Sequence, residues 1–216
     1  LVVVLLGVVC AGCSRDEGGR AGPVVHARPE RLTPMEVARK AHEHRINGEF
    51  AAIERLVVPE QASAVVELVQ SVDRLIFASR ELVKAARAEL GSGTAQRVDR
   101  PAVADIIGMF STHVKFLEER VEGDQAAVVY QVGNRLPLEE VALERRDGRW
   151  LIRTDEPVEG LPTEIRKLAD LLGHAAEKVR AGDWDSERLR AELTAREEAA
   201  GRRIAALLER GEGPGP

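Results

Sequence analysis

Aromatic side chains are scarce in this 216-residue chain: Phe, Trp and Tyr together make up 3% of it. A protein that stacks bases needs such rings on a basic surface. Here 31 Lys and Arg are interleaved with 36 Asp and Glu, leaving a net charge of −5 and no basic stripe. That argues against a nucleic-acid partner. Cysteine is nearly absent too: Cys10 and Cys13 are the only two, and a chain cleaved before Cys13 would keep one and have no disulfide. Gly91-Ser92-Gly93 is the nearest thing to a glycine-rich phosphate loop, and it lacks both the lysine and the preceding strand. His42 and His44 stand two apart, so on a helix their rings point about 200° from one another and cannot share a metal. No internal repeat, catalytic motif, metal site or cofactor motif is present.

What is there begins with alternation. Glu144-Arg145-Arg146-Asp147-Gly148-Arg149-Trp150 reads as a hairpin, because Asp-Gly supplies the two positive-φ positions of a two-residue turn. That turn sets Arg145 opposite Trp150 and Leu143 opposite Ile152. It places Val141, Leu143, Trp150 and Ile152 on one face, with Glu140, Ala142, Glu144 and Leu151 on the other. Gly123-Asp124 makes a second turn, setting Leu117 opposite Tyr130 and Val121 opposite Ala126. Leu117, Val121, Val128, Tyr130 and Val132 then share a face, with Val114, Phe116, Ala127 and Val129 behind them. The stretch 114–153 is thus a four-stranded antiparallel meander.

Helical periodicity flanks it on both sides. Thr33-Pro34-Met35-Glu36 is a capping box opening a helix to Ile46, which stops at Asn47-Gly48. A short helix carries Phe50, Ile53, Leu56 and Val57. Pro59 opens a long pattern to Leu90, with Val65, Val69, Val72, Ile76, Val83 and Ala86 recurring, widened by Leu68, Leu75 and Leu82. As one helix it would be roughly 45 Å long. Gly91-Ser92-Gly93-Thr94 reads as the loop that ends it, and Asp99-Arg100-Pro101 as the start of another helix through Phe110. After the sheet, a helix over 162–181 ends at Gly182. Asp183 or Asp185 caps the last one, with Leu189, Leu193, Ala200, Ile204 and Leu208 along one side.

At the start, Leu1–Val9 is apolar but too short to span a bilayer, which reads as the core of a secretory signal. Ala11-Gly12-Cys13-Ser14 behind it resembles a bacterial lipobox. The resemblance implies cleavage over 1–12, diacylation of Cys13 and attachment to the cell envelope, at the periplasmic face of the outer membrane in a Gram-negative cell. A plain secretory signal or a buried strand is the alternative. Residues 13–32, rich in Gly, Pro and charge, read as a tether, and 211–216 as a disordered tail.

The order of helices and meander, with Asn47-Gly48-Glu49-Phe50, Glu122-Gly123-Asp124-Gln125-Ala126 and Arg146-Asp147-Gly148-Arg149-Trp150-Leu151-Ile152, resembles the nuclear-transport-factor-2-like superfamily over 33–155. It implies an α+β fold: N-terminal helices on a cone-like four-stranded meander, followed here by a C-terminal helical hairpin over 156–210. Enzymes of that superfamily, of the polyketide cyclase and ketosteroid isomerase kind, use a carboxylate or histidine inside the cone. The positions here are Asp105, His113 and Tyr130, and the enzyme reading requires two of them to face one cavity. Three functions stay open: a non-catalytic envelope lipoprotein binding a small ligand or protein partner, a cone-pocket enzyme, and a structural lipoprotein whose long helices hold a partner or second copy. No strand face brings two acid–base residues together, which favours the first.

Overall fold

A computed structural model describes residues 32–99, 107–154 and 159–211, apart from the side chains of residue 197 and of 208–211. The first helix begins where the chain supplies a local reason. In α1 (Pro34–Ile46), Thr33 Oγ1 accepts the amide of Glu36 at 3.2 Å and Glu36 Oε2 accepts the amide of Thr33 at 2.7 Å. This is the reciprocal cap that satisfies two orphan amides. The short α2 (Phe50–Glu54) leads to α3 (Pro59–Glu89), one unbroken helix of 31 residues.

Its buried line runs through Val65, Val69 and Val72 and then swings to Leu75, Ala78, Leu82 and Ala85, leaving Ile76 and Val83 only partly buried. The buried Ser71 hydroxyl donates to the Glu67 carbonyl at 2.7 Å, so it leaves no unsatisfied group in the core.

The sequence reading placed a loop at Gly91-Ser92-Gly93-Thr94. The structure instead starts α4 (Ser92–Val98) there, with Gly91 at φ 87° as its first cap and Thr94 and Ala95 buried. Packing against α3 outweighs the low helix propensity of glycine. Of the helix expected up to Phe110, residues 100–106 lie outside the described residues, and Gly108–Phe110 is a single 3-10 turn.

The sheet is an open antiparallel meander, β1 (Val114–Glu122), β2 (Gln125–Val132), β3 (Glu139–Arg146) and β4 (Arg149–Arg153), adjacent in chain order. Asp147 at φ 51° and Gly148 at φ 74° make the expected turn, and Leu143 faces Ile152. The first hairpin departs from expectation. Val121 does face Ala126, but the register shifts between Phe116 and Glu118, so Phe116 rather than Leu117 faces Tyr130. Leu117 is the extra residue of a β-bulge and is exposed. Bulge and charges together blunt β1 as an edge for pairing. The other edge is closed by the chain itself: Val58 N–H donates to the Ile152 carbonyl at 3.0 Å, and Ile152 N–H donates to that of Leu56 at 2.7 Å.

After the sheet come α5 (Leu161–Arg180) and α6 (Ser186–Gly211). Gly182 N–H bonds to Val179 O and Asp183 N–H to Lys178 O, both at 3.0 Å, with Gly182 at φ 73°. That pattern is a Schellman stop. Asp185 Oδ1 then caps α6, accepting from Glu187 and Arg188 at 3.1 and 2.8 Å. Cross-helix ion pairs fix the packing. Arg166 meets Glu67, Arg74 meets Asp170 and Arg180 meets Glu81. Both numbers rise together, so α3 and α5 run parallel, whereas α6 turns back and sets Arg203 on Glu164. Such exposed pairs contribute at most about 1 kcal/mol each. The helices are held instead by Ile165, Ala169, Leu172, Ala175 and Val179 of α5, all buried in the cluster that contains the α3 line.

The glycines give a first expected result. Gly148→Val forces a β-branched residue into positive φ and should cost about 1–3 kcal/mol. Gly93 sits within α4 with nothing within 4 Å of an added Cβ. Gly93→Ala should therefore stabilise by about 0.5–1 kcal/mol. Urea midpoints moving in opposite directions are the signature; a shared direction contradicts one assignment.

Candidate functional site

The helix-facing side of the sheet is where a cone pocket would lie. There α1 packs across β1, β2 and β4. Its Val37, Ala38 and Ala41 belong to one buried cluster with Val128, Leu143 and Ile152, each at most 2% exposed. Apolar contact occupies this side of the sheet.

Of the sequence-derived site residues, the structure describes His113 and Tyr130. Asp105 lies outside the described residues, as does the lipidation candidate Cys13. His113 is exposed just ahead of β1, and its carbonyl accepts the amide of Gly133 at 2.7 Å. Tyr130 is buried, and its hydroxyl donates to Glu139 Oε2 at 2.8 Å. Gly108 lies against that hydroxyl: an added Cβ would stand 2.6 Å from it. Glu119 faces Val128 across the strands, and its Oε2 accepts the Met35 amide at 2.8 Å. A carboxylate placed there satisfies an orphan amide in the first turn of α1 and complements its dipole.

Two polar contacts emerge that no local pattern in the sequence announces. The first is His42, whose Nδ1 lies 3.1 Å from the Met109 carbonyl and whose ring meets Phe116 edge-on at 5.9 Å. Phe116 in turn meets Tyr130 at 6.3 Å. His44, two residues on, turns to Glu49 Oε2 at 2.5 Å, so the two imidazoles do diverge. Burial pushes the His42 imidazole below its ordinary pKa and Arg45 adds to this, while the Met109 carbonyl works the other way. The unfolded chain therefore takes up this proton near pH 6.5 and the folded chain only at lower pH. Between those values the unfolded state binds more protons, so stability rises with pH there and is lost on acidification. Urea midpoints should fall from pH 7.5 to pH 5, and His42→Gln should flatten that slope. An unchanged slope would remove His42 as its cause.

The second is Arg45 of α1, 6% exposed, whose guanidinium donates to Asp73 Oδ1 of α3 at 2.5 Å. Among the described residues its buried Nε has no hydrogen-bond partner. Burial pushes the Asp73 carboxyl above its ordinary pKa, against the pull of Arg45. Neither feature lines any of the described pockets. Among the described residues no helix is long and apolar enough to cross a membrane. Comparison with known protein families, with curated proteins and with solved structures finds no match.

Proposed function

We propose that this chain is a membrane-tethered envelope protein, held by lipid on Cys13, whose α+β body is a non-catalytic binding module of nuclear-transport-factor-2-like design. The observation that carries the non-catalytic part is the separation of exposed His113 from buried Tyr130, beside a sheet face filled by Val128, Leu143 and Ile152. Proton-transfer catalysis requires groups within reach of one substrate position, and neither of these two lines any of the described pockets. The long α3 gives the structural reading little support: α5 covers its stripe, and Phe77 is its one exposed large apolar residue among those described.

Metabolic labelling with a fatty-acid analogue tests the tether. The wild type should carry label at the membrane, and Cys13→Ala should carry none. Equal labelling of both sinks the anchor. A turnover screen of the purified protein tests the rest; an activity lost in both His113→Ala and Tyr130→Phe would reinstate the enzyme.

A further inference from the structure

A groove of about 320 Å³ runs between α4 and the first turns of α6. Thr94, Leu189 and Leu193 are buried along it, and Val98 is partly so. Arg97 on α4 and Arg190 on α6 line the same groove and are exposed. Among the described residues, neither is ion-paired. Arg97 bonds only within its own helix, Nε donating to the Gly93 carbonyl at 3.2 Å and a terminal nitrogen reaching the Thr94 hydroxyl at 3.5 Å. Glu187 is the single acid among the described lining residues. Among those residues cations thus exceed anions, in a chain whose net charge is −5. The amides of Glu187 and Arg188 are already taken by Asp185, so the N-terminus of α6 brings its own carboxylate and any anion must be held by side chains.

Guanidinium groups on two different elements suit a single carboxylate or phosphate, whose oxygens accept planar, charge-assisted hydrogen bonds. Leucine and valine beneath them favour carbon over water. We propose that this groove binds a small organic anion. Its one carboxylate or phosphate sits between Arg97 and Arg190, and a short apolar chain lies over Val98, Leu189 and Leu193. The proposal rests on the binding-module reading and supplies its ligand class.

The test is calorimetric titration of the full chain with hexanoate and with hexyl phosphate at low ionic strength. Fluorescence of Trp184, buried just ahead of α6, serves as a second readout. Saturable binding is expected with a Kd of about 1 mM or tighter for at least one anion. Arg97→Gln and Arg190→Gln should each weaken it about tenfold. Arg149→Gln, an exposed arginine of β4 outside the groove, should leave it unchanged. A monoacylglycerol phosphate binding more tightly than hexyl phosphate assigns the anion to a lipid; equal or weaker binding assigns it to a soluble metabolite. Both outcomes support the site. It is overturned by no saturation up to about 10 mM, by hexanol or inorganic phosphate binding as well as hexyl phosphate, or by equal losses in Arg149→Gln. Fatty-acid labelling at Cys13 is unaffected by any of these results, so failure of the groove and failure of the anchor are read separately.

Discussion

Ile152→Ala should be among the most damaging single changes in the sheet, lowering stability by about 2–5 kcal/mol. Ile152 is 0% exposed, faces Leu143 across the hairpin and sits where the chain between α2 and α3 closes the β4 edge. Truncation leaves the two backbone bonds to Leu56 and Val58 in place, so the loss reports side-chain packing alone. A cavity beside Val128 and Leu143 cannot close easily, because rigid strands carry its walls. Val121→Ala is the control: Val121 is 47% exposed on β1, and its loss should stay below about 1 kcal/mol. Thermal or urea unfolding of both variants decides it, and comparable losses would contradict the assigned faces.

Asp73→Ala should cost about 3 kcal/mol, the low end for breaking a buried pair, since the Asp73 side chain is 32% exposed. A guanidinium cannot shed its proton. Without Asp73, Arg45 stays charged and buried, with one nitrogen already lacking a partner among the described residues. The sign of the Asp73 shift is instructive. A carboxyl raised in the folded state above 3.8 binds its proton more readily folded than unfolded. Stability therefore falls as pH rises from 3.8 through the folded value, and ionised Asp73 is held at a net penalty. Replacing both partners, as Arg45→Met with Asp73→Leu, should recover most of the loss, because an apolar pair needs neither charge solvated. A double variant no better than Asp73→Ala alone would show that the site requires the charges.

The features legible in the sequence were those whose causes are local. Asp147-Gly148 makes its turn from two adjacent φ values. Thr33 and Glu36 cap each other across three residues, and Gly182 stops α5 with bonds spanning the last turn. The bulge at Leu117 was hidden because strict alternation assigns a side to every residue, and an inserted residue is visible only against the partner strand. Leu151 was assigned to the outer face, yet it too is buried; alternation gives the side but not what covers it. The helix at Ser92–Val98 ran against its own glycines, and only contact with α3 explains it. Arg45 and Asp73 lie 28 positions apart on two different helices, and no periodicity connects them. His42 was weighed only as a metal ligand with His44. Its carbonyl and ring partners come from 109 and 116, which nothing local announces.

The parallel course of α3 and α5 bears on how the chain reaches its native state. Arg166 lies 99 positions from Glu67, and Arg180 lies 99 from Glu81. A hairpin of helices closes over a few residues, but this pair can meet only after the whole sheet has been laid down between them. Loops of that length are slow to close and yield no contact until they do. On a chain made from its N-terminus, the part of the α3 apolar line that α5 covers must wait for α5 to emerge. A late, slow phase reporting on Trp184 is the expected kinetic trace.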